Sequence, residues 1–163
     1  MPKHILKISI FAIILFASCT SANNNCYETF DIQAVVNFYK ITGTRIDALS
    51  IDSINVKGVG TDSILYKNRR SVNSIKLPLK KSLEKSDTQC AFEIIFNDVT
   101  DIVTINYTNK PYYVSLECGC EILPVIESIT TTRNFIDSVE IVDKEVKLLN
   151  PKNAENIKIY HFY

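Results

Sequence analysis

The sequence predicts an all-β chain, folded as an antiparallel immunoglobulin-like β-sandwich, with a partly closed β-barrel as the alternative. Three observations carry this prediction. β-branched and aromatic residues dominate the apolar runs. Gly and Pro fall between those runs, where they act as turn punctuation. No window holds an apolar repeat near 3.6 residues, so no amphipathic helix is expected.

Taken in order, the first apolar segment is residues 32–40, with Val35, Val36, Phe38 and Tyr39. A Thr-Gly-Thr turn leads into residues 45–56, and Gly58-Val59-Gly60 leads into 62–67. Ile75, Leu77 and Leu79 alternate with polar residues, a half-buried period of two. Pro78 removes a ladder donor from that strand and so predicts an edge position. Residues 80–88 are polar and lysine-bearing and read as a loop. Cys90, Phe92, Ile94 and Phe96 share one face, and Asn97-Asp98 turns the chain into residues 102–108, a hairpin. A further strand is expected over 112–120, followed by extended chain over 121–132 around Pro124. Residues 135–142, 145–149 and 156–162 complete about nine or ten strands.

Ahead of this domain lies a mainly apolar stretch, Ile8 to Cys19, which is preceded by Lys3, His4 and Lys7 and ends Phe16-Ala17-Ser18-Cys19. A basic start, a short apolar stretch and small residues before a cut mark a secretory leader. The run is too short to span a bilayer at about 20 residues per crossing. The ending resembles the lipobox of bacterial lipoproteins, with Phe16 where leucine is commonest. That resemblance implies residues 1–18 as a signal peptide, lipid on Cys19 and two or three acyl chains, enough for stable anchoring. Residues 19–25, with three consecutive Asn, read as a flexible tether, and 26–163 as one domain.

Loss of the leader removes two lysines and takes the formal charge from 0 to −2. A nearly neutral chain whose basic residues gather only at Asn68-Arg69-Arg70 has no field to draw in nucleic acid, so no nucleic-acid partner is expected.

The catalytic inventory is thin. The domain has one histidine, His161, on the face of its strand shared with Ile157 and Ile159, a structural position. No Gly-x-Ser-x-Gly elbow presents a serine, and no phosphate-cradling glycine loop precedes a helix. No cofactor and no metal are therefore expected. Cys118-Gly119-Cys120 is the sharpest constellation: two thiolates could hold Cu(I) or Zn(II) or cycle as a redox pair. The structural reading is two half-cystines bonded elsewhere, because a bridge between strand neighbours on one face is strained. With Cys19 lipidated, Cys26, Cys90, Cys118 and Cys120 form an even set suited to two disulfides. Asn97-Asp98-Val99-Thr100-Asp101 brings carboxylates together, but Asx turns explain them better than a calcium loop. Tyr107, Tyr112 and Tyr113 could pack a sheet or stack on a ligand, and Tyr112, Tyr113 and Glu117 are the candidate binding surface.

From residue 26 onward the order of motifs is similar to a family of small Bacteroidota lipoproteins without a known activity. The motifs are an N-terminal Cys, Val56-Lys57-Gly58-Val59-Gly60, Asp62-Ser63-Ile64-Leu65-Tyr66, Ile75-Lys76-Leu77-Pro78-Leu79, Val114-Ser115-Leu116-Glu117-Cys118-Gly119 and Asn156-Ile157-Lys158-Ile159-Tyr160. The resemblance includes Cys26 and Cys118, with Cys120 an addition to the pattern; the expected bridges are Cys26–Cys118 and, as the remaining pair, Cys90–Cys120, with the crossed pairing as the alternative. No acidic cluster follows Cys19, which in such lipoproteins implies an outer-membrane anchor facing the periplasm. Asp52-Ser53-Ile54, Asp62-Ser63-Ile64 and Asp137-Ser138-Val139 resemble the O-glycosylation acceptor of the same bacteria, although Asp-Ser also opens strands from turns.

Two functional readings follow. One is a non-enzymatic, lipid-anchored cell-envelope module that binds or scaffolds an envelope protein or glycan. The other is a small thiol-redox or soft-metal protein using Cys118 and Cys120.

Overall fold

Ala34, Val35, Val36 and Phe38, all buried, lie in the strand over residues 33–42 on which the first sheet is centred. The computed structural model describes residues 32–81, 87–116, 119–147 and 154–163. Among these are ten strands and no helix: β1 (Gln33–Thr42), β2 (Arg45–Ala48), β3 (Ile54–Gly58), β4 (Ile64–Arg69), β5 (Ser74–Pro78), β6 (Asp87–Phe96), β7 (Val99–Ser115), β8 (Gly119–Thr131), β9 (Ser138–Ile141) and β10 (Ile157–Phe162). The leader, the tether, Cys19, Cys26, Glu117 and Cys118 lie outside the described residues.

Two sheets, neither closed into a barrel, form a sandwich. The first runs β2-β1-β10-β9, and β5 pairs with the opening half of β1 on the edge that β2 takes over later. β5 has β1 as its ladder partner, so the proline-bearing strand is at an edge, as its sequence predicts. The second sheet runs β4-β3-β6-β7-β8. All ladders are antiparallel except β1 with β10, where the beginning and end of the domain lie side by side in parallel.

The core lies between the sheets. Ala34, Val36 and Phe38 from β1 meet Phe92, Ile94 and Phe96 from β6, all buried. Phe38 and Phe96 touch edge to face at 5.6 Å across the two layers. Each such side chain contributes roughly 1.5–3 kcal/mol by leaving water.

Two expected strands are redrawn. Residues 45–56 are not one strand but two, β2 and β3, parted by residues 49–53. Residues 112–120 are not a separate strand: Tyr112 and Tyr113 continue β7, the chain turns at Leu116, and Cys120 belongs to β8. β7 therefore runs through Pro111. The missing N–H is tolerated because β6 begins at Asp87, opposite Thr108, and among the described residues nothing ladders onto that edge of β7 beyond it. Of residues 145–149, 145–147 are described, and there Glu145 forms an isolated bridge to Val125.

β8 carries a bulge at Glu127. Asn106 pairs with Ser128 but Tyr107 pairs with Ile126. The extra residue resets the alternation, so Ile129 and Ile126 both turn toward the core although they are three apart.

Candidate functional site

Beyond Thr108 the β7–β8 hairpin leaves the sheet as a two-stranded ribbon, Asn109 pairing with Pro124 and Tyr113 with Cys120. Successive residues face opposite sides, so Tyr112 and Tyr113 point apart. Both rings are more than half exposed, at 51% and 57%. Leu116 at the turn is 93% exposed. Tyr112 and Tyr113 are thus outward-facing as expected, but on opposite faces, and they do not form one stacking platform.

The ribbon is fixed at its base. Tyr107 is buried, and its hydroxyl accepts from the Lys80 backbone N–H at 2.8 Å and donates to the Lys80 carbonyl at 3.0 Å. Its single proton is then spent, so the Cys90 thiol, 3.1 Å away, is the donor to it. Burial, then the contact with Cys90, pushes the Tyr107 hydroxyl well above its ordinary pKa. Asn109 adds a bond to Thr88 at 3.0 Å, and Lys81 reaches Glu121 on β8 at 2.6 Å. That ammonium holds the Glu121 carboxyl below the usual range, against a smaller opposing effect of burial.

The cysteine expectation needs correction. Cys90 and Cys120 are both free thiols, Cys90 half-buried and Cys120 exposed. Register shows why the expected Cys90–Cys120 bridge does not form. Cys90 sits opposite Ile105 and Cys120 opposite Tyr113, on the two sides of β7. Eight residues of strand separate those positions, about 25 Å at ~3.3 Å each, whereas a disulfide needs Cα atoms within about 7 Å. The partner bridge, Cys26–Cys118, falls on residues outside those described. Cys90 instead lines a cleft of about 410 Å³ between Leu79-Lys80 and Gly58-Val59, with Ser63 on its wall.

The groups that sequence reading weighed for catalysis are engaged structurally. His161 donates Nδ1–H to the Phe135 carbonyl at 2.7 Å, with Asp137 at 3.1 Å. Its ring stacks on Phe135 at 4.1 Å. Phe135 stacks in turn on Phe96, so the histidine extends a ladder of rings that begins in the core. Asn97 turns the chain with a φ of 53°, and its side chain accepts not from its own turn, as expected, but from the Ser53 N–H at 3.0 Å, beside the start of β3. Among the described residues no group of three His, Cys, Asp or Glu is placed to hold a metal.

Asp101 has a role that sequence reading did not assign. It is fully buried on β7 and receives four hydrogen bonds from the loop after β8. Thr132 Oγ1 and the Asn134 N–H reach Oδ1 at 2.6 and 2.7 Å. The N–H groups of Phe135 and Ile136 reach Oδ2 at 2.7 and 3.0 Å. Desolvation alone would raise its pKa, but the four donors outweigh it and hold the carboxyl below the usual range. No local sequence signal marks this, because its donors lie some thirty residues downstream.

A second apolar surface was also missed. Ile46, Ile41 and Phe162 stand opposite one another across β2, β1 and β10, on the outer face of the first sheet. Ile46 is 56% and Phe162 52% exposed. The signal was available in the alternation of Ile41 with Phe38, but the parallel pairing that brings in Phe162 was not. Of the three Asp-Ser motifs, Ser63 is exposed just before β4, whereas Ser53 and Ser138 are half-buried. Each opens a strand, as the turn reading predicts.

No curated protein and no solved structure matches this chain. Residues 53–161 match a family of unknown function, DUF6452. That span runs from β3 to all but the last residue of β10 and leaves β1 and β2 outside it, and the chain belongs to DUF6452.

Proposed function

We propose that this protein is a lipid-anchored module of the cell envelope that binds or scaffolds another envelope component and carries out no catalysis itself. The observation that carries the reading is the stretch Lys3 to Cys19, a leader ending in a lipidatable cysteine, set a short tether ahead of a sandwich. Its chemically capable groups support the non-enzymatic part. Asp101 is saturated by four donors, and His161 is tied to Phe135 and Asp137. What the domain offers outward is apolar and aromatic: the ribbon at one end and the Ile46–Phe162 row at the other. The anchor faces the periplasm from the outer membrane.

Cys19→Ser tests the reading. The expected result is a soluble or uncleaved protein that leaves the membrane fraction. A normally sized mature chain that stays with the membrane would sink it.

One observation favours the second reading, a thiol-redox or soft-metal protein: Cys120 is a free, exposed thiol. Native-state labelling followed by peptide mapping separates the two. A Cys118–Cys120 bridge that forms and opens with the redox poise supports the thiol chemistry, and a permanently reduced pair without bound metal removes it.

A further inference from the structure

The point where the chain enters the sandwich and the point where the ribbon leaves it are at the same end. β1 starts beside the end of β5, with Gln33 opposite Pro78 and the Leu79 N–H bonded to the Ile32 carbonyl at 3.4 Å. The next residue, Lys80, is the one that Tyr107 grips from the base of the ribbon, and Asn109 reaches the same carbonyl. Ile32 is therefore two short contacts from the ribbon's root. β7 runs from the Asn97 turn toward this end and continues outward past Thr108.

We propose that the ribbon tip, Tyr112, Tyr113 and Leu116, is a foot that rests in the interface of the lipid bilayer to which Cys19 is anchored. The inference rests on the anchored reading above and names the partner of the surface nominated there. Lengths permit the contact. Residues 20–31 span at most about 40 Å when extended, and the ribbon from 109 to 115 projects about 20 Å. A tether that long lets the tip touch the bilayer and is short enough to hold this end of the domain near it.

The chemistry fits a lipid surface better than a protein groove. Tyrosine belongs at the membrane interface, with its ring among acyl chains and its hydroxyl among headgroups. Leu116 is the most exposed large apolar side chain among the described residues, and water is a poor environment for it. The two tyrosines are both exposed and face opposite sides of the ribbon, so no single flat partner surface can bury both. A fluid interface that surrounds the tip can. Lys110, exposed one residue before Pro111, sits where its ammonium reaches headgroup phosphates while its stem follows the ribbon.

Opposite this foot, Ile46 and Phe162 lie beside Ile41 near the far end of β1, eight residues or about 26 Å beyond Gln33. That distance gives the test an internal control. The chain contains no tryptophan, so Leu116→Trp and Ile46→Trp each place a single reporter at an exposed site. The full chain, processed and lipidated, is reconstituted into vesicles of phosphatidylethanolamine and phosphatidylglycerol with brominated acyl chains. The expected result is several-fold quenching and a blue shift for the Leu116→Trp reporter, and neither for Ile46→Trp. A chain that floats with the vesicles but shows no quenching at Leu116→Trp, or equal quenching at both sites, overturns the foot while leaving the anchor standing. The same two reporters in Cys19→Ser address the anchor separately. Vesicle association that persists there with quenching at Leu116→Trp supports the foot as a contact that holds without the lipid.

Discussion

Asp101 shows how a single side chain can define a loop. The segment after β8 must reverse direction and deliver Phe135 and Ile136 to the core, and Arg133 adopts a positive φ of 60° to do so. Three of its backbone N–H groups would be left without strand partners. One carboxylate satisfies all three together with the Thr132 hydroxyl. Asp101→Asn keeps the shape but turns an amide N–H₂ toward donors, and should cost about 2–3 kcal/mol in denaturant unfolding. Asp101→Ala should cost at least as much. The pH dependence has a definite sign. The folded carboxyl titrates below its unfolded value of about 3.9, so its stabilisation is complete above that pH and is lost as pH falls through the folded value. Wild-type stability should therefore exceed that of Asp101→Asn by a constant margin near neutrality, and the gap should narrow below about pH 4. A margin independent of pH down to full acid unfolding would show that the carboxylate's charge is not what holds the loop.

At the scale of elements, most strands were legible because one face of each is buried and their alternation shows it. The β6 face of Phe92, Ile94 and Phe96 and the Asn97-Asp98 hairpin needed nothing beyond period two and turn chemistry. The β7–β8 ribbon was not legible, for three physical reasons. Pro111 looks like a strand boundary, yet it is harmless on an edge without a ladder. The Glu127 bulge breaks the alternation that would have shown β8's inner face. Cys120, read as sharing a strand with Cys118, belongs to the first pairs of the return strand, and Cys118 lies outside the described residues. Asp101 and Asn156 were illegible for a different reason: their partners are distant in sequence. The ribbon's own turn yields a prediction. Gly119 has φ +70°, and a Cβ added there would meet no atom within 4 Å. Gly119→Ala thus carries only the left-handed backbone penalty of about 1–2 kcal/mol. Because two strands alone bear it, the cost should fall on local opening. Hydrogen exchange should quicken roughly tenfold over residues 109–115 and 119–123, with little change in Tm. A Tm shift equal to the whole penalty would show that the ribbon and sandwich unfold as one unit.

For the whole molecule, the decisive contact is the parallel ladder that brings β10 back to β1, from Val36 opposite Ile157 to Ile41 opposite Phe162. Pairings across more than a hundred residues are slow to form, and this one joins β9 to the rest of the first sheet. Asn156 is its clamp. Buried beside the start of β10, it accepts from the Val35 N–H at 3.0 Å and donates its amide to the carbonyls of Asp143 and Glu145, each at 3.0 Å. Its own N–H bonds to the Val35 carbonyl, which extends the ladder by a residue. One amide therefore ties the first strand, the last strand and the segment bridged to β8. Asn156→Ala removes three hydrogen bonds and strands a buried N–H, a loss of about 2–3 kcal/mol. Asn156→Asp preserves the shape and the bond from Val35 but turns oxygen toward two carbonyls. At neutral pH it also buries a charge, and should cost more than the alanine, about 3–5 kcal/mol. The introduced carboxyl has a folded pKa raised by burial and by the facing carbonyls. Its destabilisation is therefore greatest above that value and is relieved as pH falls through it, since the protonated acid can donate to one carbonyl. Denaturant midpoints measured from pH 7 to pH 5 should converge on wild type for Asn156→Asp but stay parallel to it for Asn156→Ala. If the two variants track each other across that range, the amide's donors are not what closes the sandwich, and the ladder itself must supply the closure.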